Sequence, residues 1–175
     1  MKQHVLIVSI FVVFLLEGTL VKWLIPQVWQ GSVAVASHFV LVLVMFVSMY
    51  TNRHLALLYG FGFGLLHDVV YYGPMLGTYA FSTSLVGYLI GLVTIRKASG
   101  IIRCLFLVAA GLIAFEAIIF GLYRIFRITR VGFEWALVHQ MMPSILFNLL
   151  FAVAIYVPVR KWLESMMPPP RQEDE

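Results

Sequence analysis

Charge is what this chain has least of. Only 11% of its 175 residues are Asp, Glu, Lys or Arg, against 62% hydrophobic, and the mean hydropathy is +0.95. Soluble domains carry about 25% charged and roughly 45–50% apolar residues, so this excess cannot be enclosed in one water-surrounded core. A soluble domain is excluded. Cysteine is nearly missing too: Cys104 alone makes neither an internal disulfide nor a multi-cysteine metal site. There is no collagen period and no long polar tract. No Walker A loop, dinucleotide fingerprint, His-Glu-x-x-His pair or Gly-x-Ser-x-Gly elbow occurs. His67 and Asp68 are neighbours, about 100° apart on a helix, which is not the spacing that holds a metal. The expectation is a non-enzyme with no cofactor and no metal. The net charge of +4 does not imply nucleic acid, because the basic residues cluster between apolar runs.

What is present is apolar length. A membrane-spanning helix needs about 20 mostly apolar residues, and six runs qualify: approximately 5–23, 33–50, 55–72, 75–95, 103–124 and 143–160. The reading is an all-α integral membrane fold of six transmembrane helices in one domain, residues 1–165. Residues 166–175, with three prolines and three terminal acids, form a disordered cytoplasmic tail. Pro26 and Gly31, Thr51 to His54, Gly73-Pro74 and Lys97 to Gly100 punctuate the runs. Trp23, Trp29, Trp135 and Trp162 fall at or beyond span ends, where indoles favour the interface. Glu17, Lys22 and the lack of a small-x-small site make the first run a retained span, not a cleaved signal.

Orientation follows from the cations. Six spans put both termini on one side, with Lys2, Arg53, Arg96, Lys97, Arg103, Arg160, Lys161 and Arg171, eight of the twelve basic residues. Lys22, Arg124, Arg127 and Arg130 lie on the other. By the positive-inside rule both termini are cytoplasmic. The arginine group at 124–130 runs against that rule and therefore has a local reason to exist.

The third run carries glycines at 60 and 64 on one helix face, and the fourth repeats the device at Gly87 and Gly91. Small residues at this spacing let helix backbones approach closely in lipid. The same face is open to packing within the chain or to pairing of two copies in a homodimer. The full string is Gly60-x-x-x-Gly64-Leu65-x-x-Asp68, then Gly73-Pro74-x-x-Gly77 and another apolar span. With six spans and cytoplasmic termini, it resembles the bacterial rod shape-determining MreD family. That resemblance implies a non-catalytic scaffold in the bacterial cytoplasmic (inner) membrane, part of the cell-elongation machinery. Its implied partners are MreC directly and, within the larger complex, the MreB filament, RodA and a class B penicillin-binding protein. It also implies a fold similar to the substrate-binding subunits of energy-coupling-factor transporters, which leaves a small-molecule-binding transporter subunit as the alternative function.

Ionisable groups inside a membrane are costly and face a bundle interior or cavity. Glu17, Asp68 and Glu116 each lie about thirteen residues past the inner end of an outward-running span, a depth of about 20 Å. His38, Ser82 and Asn148 on the inward-running spans lie about 7–10 Å below their outer ends. All six helices therefore offer a polar group to one layer in the outer half. Three uses are open: a packing network, with Lys22 or Arg124 pairing an acid; support for an outward docking surface; or a ligand pocket.

Arg124, Arg127 and Arg130 recur every three residues, while Ile128, Val131, Trp135, Val138 and Met142 mark another face. The pattern predicts an amphipathic stretch on the outer surface that ends where Pro143 starts the last span. It serves either as an anchor to lipid phosphates or as a contact for MreC.

Overall fold

The computed structural model describes residues 2–24, 35–71, 73–94 and 100–166, and every regular element among them is helical. Helices α1 (Lys2–Leu24), α2 (Phe39–Tyr50), α3 (Arg53–Val70), α4 (Thr78–Val93) and α5 (Ile101–Ile125) follow the first five apolar runs. A short α6 (Phe133–Ala136) then leads through a π-helical turn, Leu137–Met141, into α7 (Met142–Met166). Two helical stretches, Ile101–Ile125 and Phe133–Leu163, are long and apolar enough to cross a membrane, and the other apolar helices are shorter. Six helical runs fit the expected architecture. Pro26, Trp29, Gly31, Lys97 and the tail beyond Met166 lie outside the described residues.

The second run differs most from its reading as a full span. Of its described residues, Val35–His38 are non-helical and only Phe39–Tyr50 forms a helix. Twelve residues make about 18 Å, short of a hydrocarbon core of roughly 30 Å. The cause is position: every residue of α2 is buried, and it packs against α1, α3, α4, α5 and α7. The valine-rich sequence gives no hydrophobic stripe because α2 has no lipid or solvent side. Phe39 stacks on Phe151 at 3.9 Å, and Phe46 lies 6.3 Å from Tyr156. α2 and α7 therefore run in the same direction.

α3 and α4 form the tightest pair. A Cβ on Gly60 would lie 2.9 Å from Ser84 Cα, and one on Gly64 would lie 2.6 Å from Ala80 Cα. Both contacts are backbone, so only glycine admits them. On α4, Gly87 and Gly91 face α2 and the start of α3, meeting Val44 and Ala56 and then Ser48 and Arg53. Ser48 Oγ donates to the Gly87 carbonyl at 2.6 Å, tying α2 to α4. All four glycines thus serve packing within one chain.

The outer basic stretch is not one continuous helix. α5 ends at Ile125, residues 126–132 form a loop, and helix resumes at Phe133, ten residues before the anticipated start. Arg127 has φ 57, the left-handed position that closes α5, with Ile128 N donating to Tyr123 O at 2.8 Å. Pro143 does not start the last span because the π turn precedes it. The wider turn accommodates a ring that would otherwise strike the carbonyl four residues back. Ser144 Oγ donates to the freed region at Gln140 O, 2.7 Å away.

Candidate functional site

Each acid of the anticipated layer lies at the same end of the bundle, where α1, α3 and α5 approach their C-termini and α2, α4 and α7 begin. They divide into two constructions. The first is built on the non-helical approach to α2. Such a segment carries backbone groups that no helix satisfies, and in an apolar interior each orphan costs several kcal/mol.

Asn148 on α7 resolves most of this. Its Oδ1 accepts from His38 N at 2.6 Å, and its Nδ2 donates to Ala36 O at 2.9 Å. Ser144, one turn earlier, accepts from Ala36 N at 3.0 Å. Glu17 Oε2 accepts from Val40 N at 3.2 Å, and Ser37 Oγ donates to the Glu17 carbonyl at 3.4 Å. Side chains from α1 and α7 thus replace the missing first turn of α2. His38 extends the network sideways, with Nε2 3.1 Å from Glu116 Oε1 and Nδ1 3.1 Å from the Tyr79 hydroxyl. A carboxylate at Glu116 only accepts, so Nε2–H donates to it, which leaves Nδ1 to accept from the Tyr79 hydroxyl.

Asp68 belongs to the second construction. Its Oδ2 accepts from Gly77 N at 2.9 Å and Ala80 N at 3.2 Å, and its Oδ1 accepts from Tyr79 N at 3.2 Å. A carboxylate from the end of α3 therefore caps the start of α4, where the helix dipole also favours negative charge. Gly77 has φ +91, a conformation that strains any side chain. Gly73 N returns to Asp68 O at 3.1 Å and closes the turn. The string from Gly60 to Gly77 has one physical meaning: two helices in backbone contact, joined by a turn that the first helix caps for the second.

The remaining sequence candidates separate by position. Ser82 is fully buried, yet its hydroxyl has no partner among the described residues. Leu65 is 37% exposed, on the side of α3 away from Gly64. Arg124 Nη1 donates to Val131 O at 3.0 Å and pins the loop instead of pairing an acid. The Lys22 side chain lies outside the described residues. Arg127 and Arg130 are exposed, and Trp135 stacks on His139 with centroids 4.8 Å apart.

Ser37, Tyr79 and Ser144 were not singled out from sequence, and His67 was noted only as the neighbour of Asp68. His67 stacks on Tyr79 at 3.9 Å and 5°, and its Nε2 lies 3.6 Å from Glu17 Oε1. The available signals were weak ones: an imidazole next to Asp68, and a serine one turn before Asn148. A cavity of about 280 Å³ opens beside these groups, lined by Glu17, Ala36, Ser37, His67, Tyr71 and Tyr79 among others.

Chemically, these contacts hold and orient. Ser84 and Ser144 donate to carbonyls on their own helices, Ser37 to a carbonyl of α1. Among the described residues no serine hydroxyl meets a histidine base, and no group of three His, Cys, Asp or Glu side chains is placed to hold a metal.

Comparison with known proteins covers the same span as the helices. The family model for the rod shape-determining protein MreD matches residues 2–166. The rod shape-determining protein MreD of Bacillus subtilis (strain 168) is 25% identical over 174 residues, which is 99% of this chain and 100% of that relative. No solved structure matches the chain.

Proposed function

Because the chain belongs to the MreD family of rod shape-determining proteins, we propose that it is a non-catalytic scaffold that binds MreC and helps control lateral peptidoglycan synthesis. A role in rod shape determination comes with the family. The family match along residues 2–166 carries the proposal. The site chemistry supports it: Asp68 and Asn148 are occupied in fixing the entries to α4 and α2, which suits a rigid platform. The protein sits in the bacterial cytoplasmic membrane with both termini in the cytoplasm, as eight basic residues against four favour. The polar end of the bundle then faces outward.

Docking falls on the outer loop. Gly60 and Gly64 are filled by α4, so they are not free to receive a partner helix or a second copy. The loop from Phe126 to Gly132 offers exposed Arg127 and Arg130 beside Phe126, Ile128, Phe133 and Trp135, all at least 41% exposed. That combination suits an amphipathic partner surface with acidic groups. MreB, RodA and the class B penicillin-binding protein are reached through the larger complex.

The test is coexpression with MreC and copurification from detergent. Arg127→Glu with Arg130→Glu reduces recovery of MreC about tenfold, as expected for losing two charge-assisted contacts, while membrane insertion stays intact. Unchanged recovery overturns docking at the loop. A retained small molecule with an ATPase-module partner, in place of MreC, favours the transporter-subunit alternative.

A further inference from the structure

Of the two acids that are only 3% exposed among the described residues, Glu17 is the one whose charge is half-answered. Asp68 receives three backbone N–H groups, and Glu116 faces His38 at 3.1 Å. Glu17 is only 3% exposed, yet it takes a single backbone N–H, on Oε2. Its Oε1 meets His67 Nε2 at 3.6 Å, beyond hydrogen-bond length, and no Lys or Arg among the described residues pairs with it. A buried carboxylate left in this state is expensive unless a cation reaches it.

The cavity of about 280 Å³ lies on the side of that carboxylate. Its walls supply acceptors and ring surfaces, with no Lys or Arg among the described residues there; His67 is the one basic side chain, and its ring is stacked on Tyr79. Ala36 N and O are already bonded to Ser144 and Asn148. Tyr71 donates its hydroxyl to Phe14 O at 3.1 Å. An anion would meet Glu17 with like charge, and an apolar ligand would strip water from the carboxylate without replacing it. A small ammonium group satisfies the site: it donates to Glu17 and rests against the aromatic ring of Tyr71. The volume matches on the order of nine waters, enough for an ethanolamine-sized group and too little for a drug-sized ligand. A Cβ at Gly18 would run into the Tyr71 hydroxyl, so the glycine lets Tyr71 close against α1 at the rim of the cavity.

We propose that this cavity binds a small primary-ammonium group through Glu17, either the headgroup of an aminophospholipid or a free amine. The proposal does not depend on MreC binding or on the role of the arginine loop.

The experiment uses the full chain in phosphatidylcholine nanodiscs, with and without phosphatidylethanolamine. Ethanolamine is titrated by calorimetry, with acetate as the anionic control, and bound lipid is read by native mass spectrometry. Ethanolamine binds and acetate does not. Glu17→Gln keeps an acceptor for Val40 N–H and weakens amine binding about tenfold or more, the effect of removing one charged hydrogen-bond partner. Ala36→Leu fills the cavity, keeps the backbone bonds, and blocks binding; it stands in should Glu17→Gln not fold. Retained phosphatidylethanolamine that suppresses the ethanolamine titration identifies a lipid headgroup as the source, and ethanolamine binding unaffected by that lipid identifies a free amine. Absence of both in the folded wild-type protein overturns the site. So does equal binding of acetate, or amine binding unchanged in both folded variants.

Discussion

Asp68 and Glu17 are equally buried, each 3% exposed, at the same end of the same bundle, and they are used in opposite ways. Asp68 sits where a turn aims three N–H groups at one carboxylate, so its desolvation is offset inside the chain. Glu17 sits across from a segment whose donors are mostly taken by Asn148 and Ser144, and one of its oxygens is left toward a cavity. Burial alone therefore does not separate a structural acid from a binding acid. The number of donors converging on it does.

The largest effect that sharpens this contrast is expected at Asp68. Asp68→Ala leaves three N–H groups without their acceptor, and we expect a loss of about 3 kcal/mol or more, read as a lowered thermal midpoint in detergent by circular dichroism. Asp68→Asn keeps one acceptor and loses less. Equal stability of both variants would remove Asp68 from the cap. Next comes Gly64→Ala. The added Cβ meets the Ala80 backbone, which cannot yield as a side chain would, at an expected cost of about 2 kcal/mol. Wild-type stability there would mean that α3 and α4 can part without loss. Smallest is Glu17→Gln, with a shift below about 1 kcal/mol, since interhelical hydrogen bonds in lipid are individually modest. A loss matching that of Asp68→Ala would erase the difference between the two acids and make Glu17 a structural group.

Much of this was legible from sequence, for reasons that differ by residue. Helix appears in all six apolar runs because apolar length is a local property. The glycine string pointed to close packing because the i, i+4 spacing states the face directly. Depth arithmetic placed Glu17, His38, Asp68, Glu116 and Asn148 at one level, yet it could not divide them between two constructions. That division depends on contacts such as His38 with Asn148, 110 residues apart in the chain. The start of α2 was illegible because Val33 to Val40 is uniformly apolar or small around Ser37 and His38, and composition does not mark where backbone bonds are supplied by another helix. Likewise, the stripe formed by Arg124, Arg127 and Arg130 assumed a continuous helix. Arg127 in the left-handed region ends that helix, and its residue type gave no warning.

The short second helix also bears on how the protein is made. At about 18 Å it is too brief to be inserted as an independent span, and most of the donors and acceptors that complete its entry come from Ser144 and Asn148 on α7. During synthesis, the entry to α2 is therefore completed by α7, whose Asn148 follows His38 by 110 residues. A chain halted before residue 144 would leave Ala36 and His38 without the side chains of Ser144 and Asn148, so the α2 entry closes only after α7 has followed.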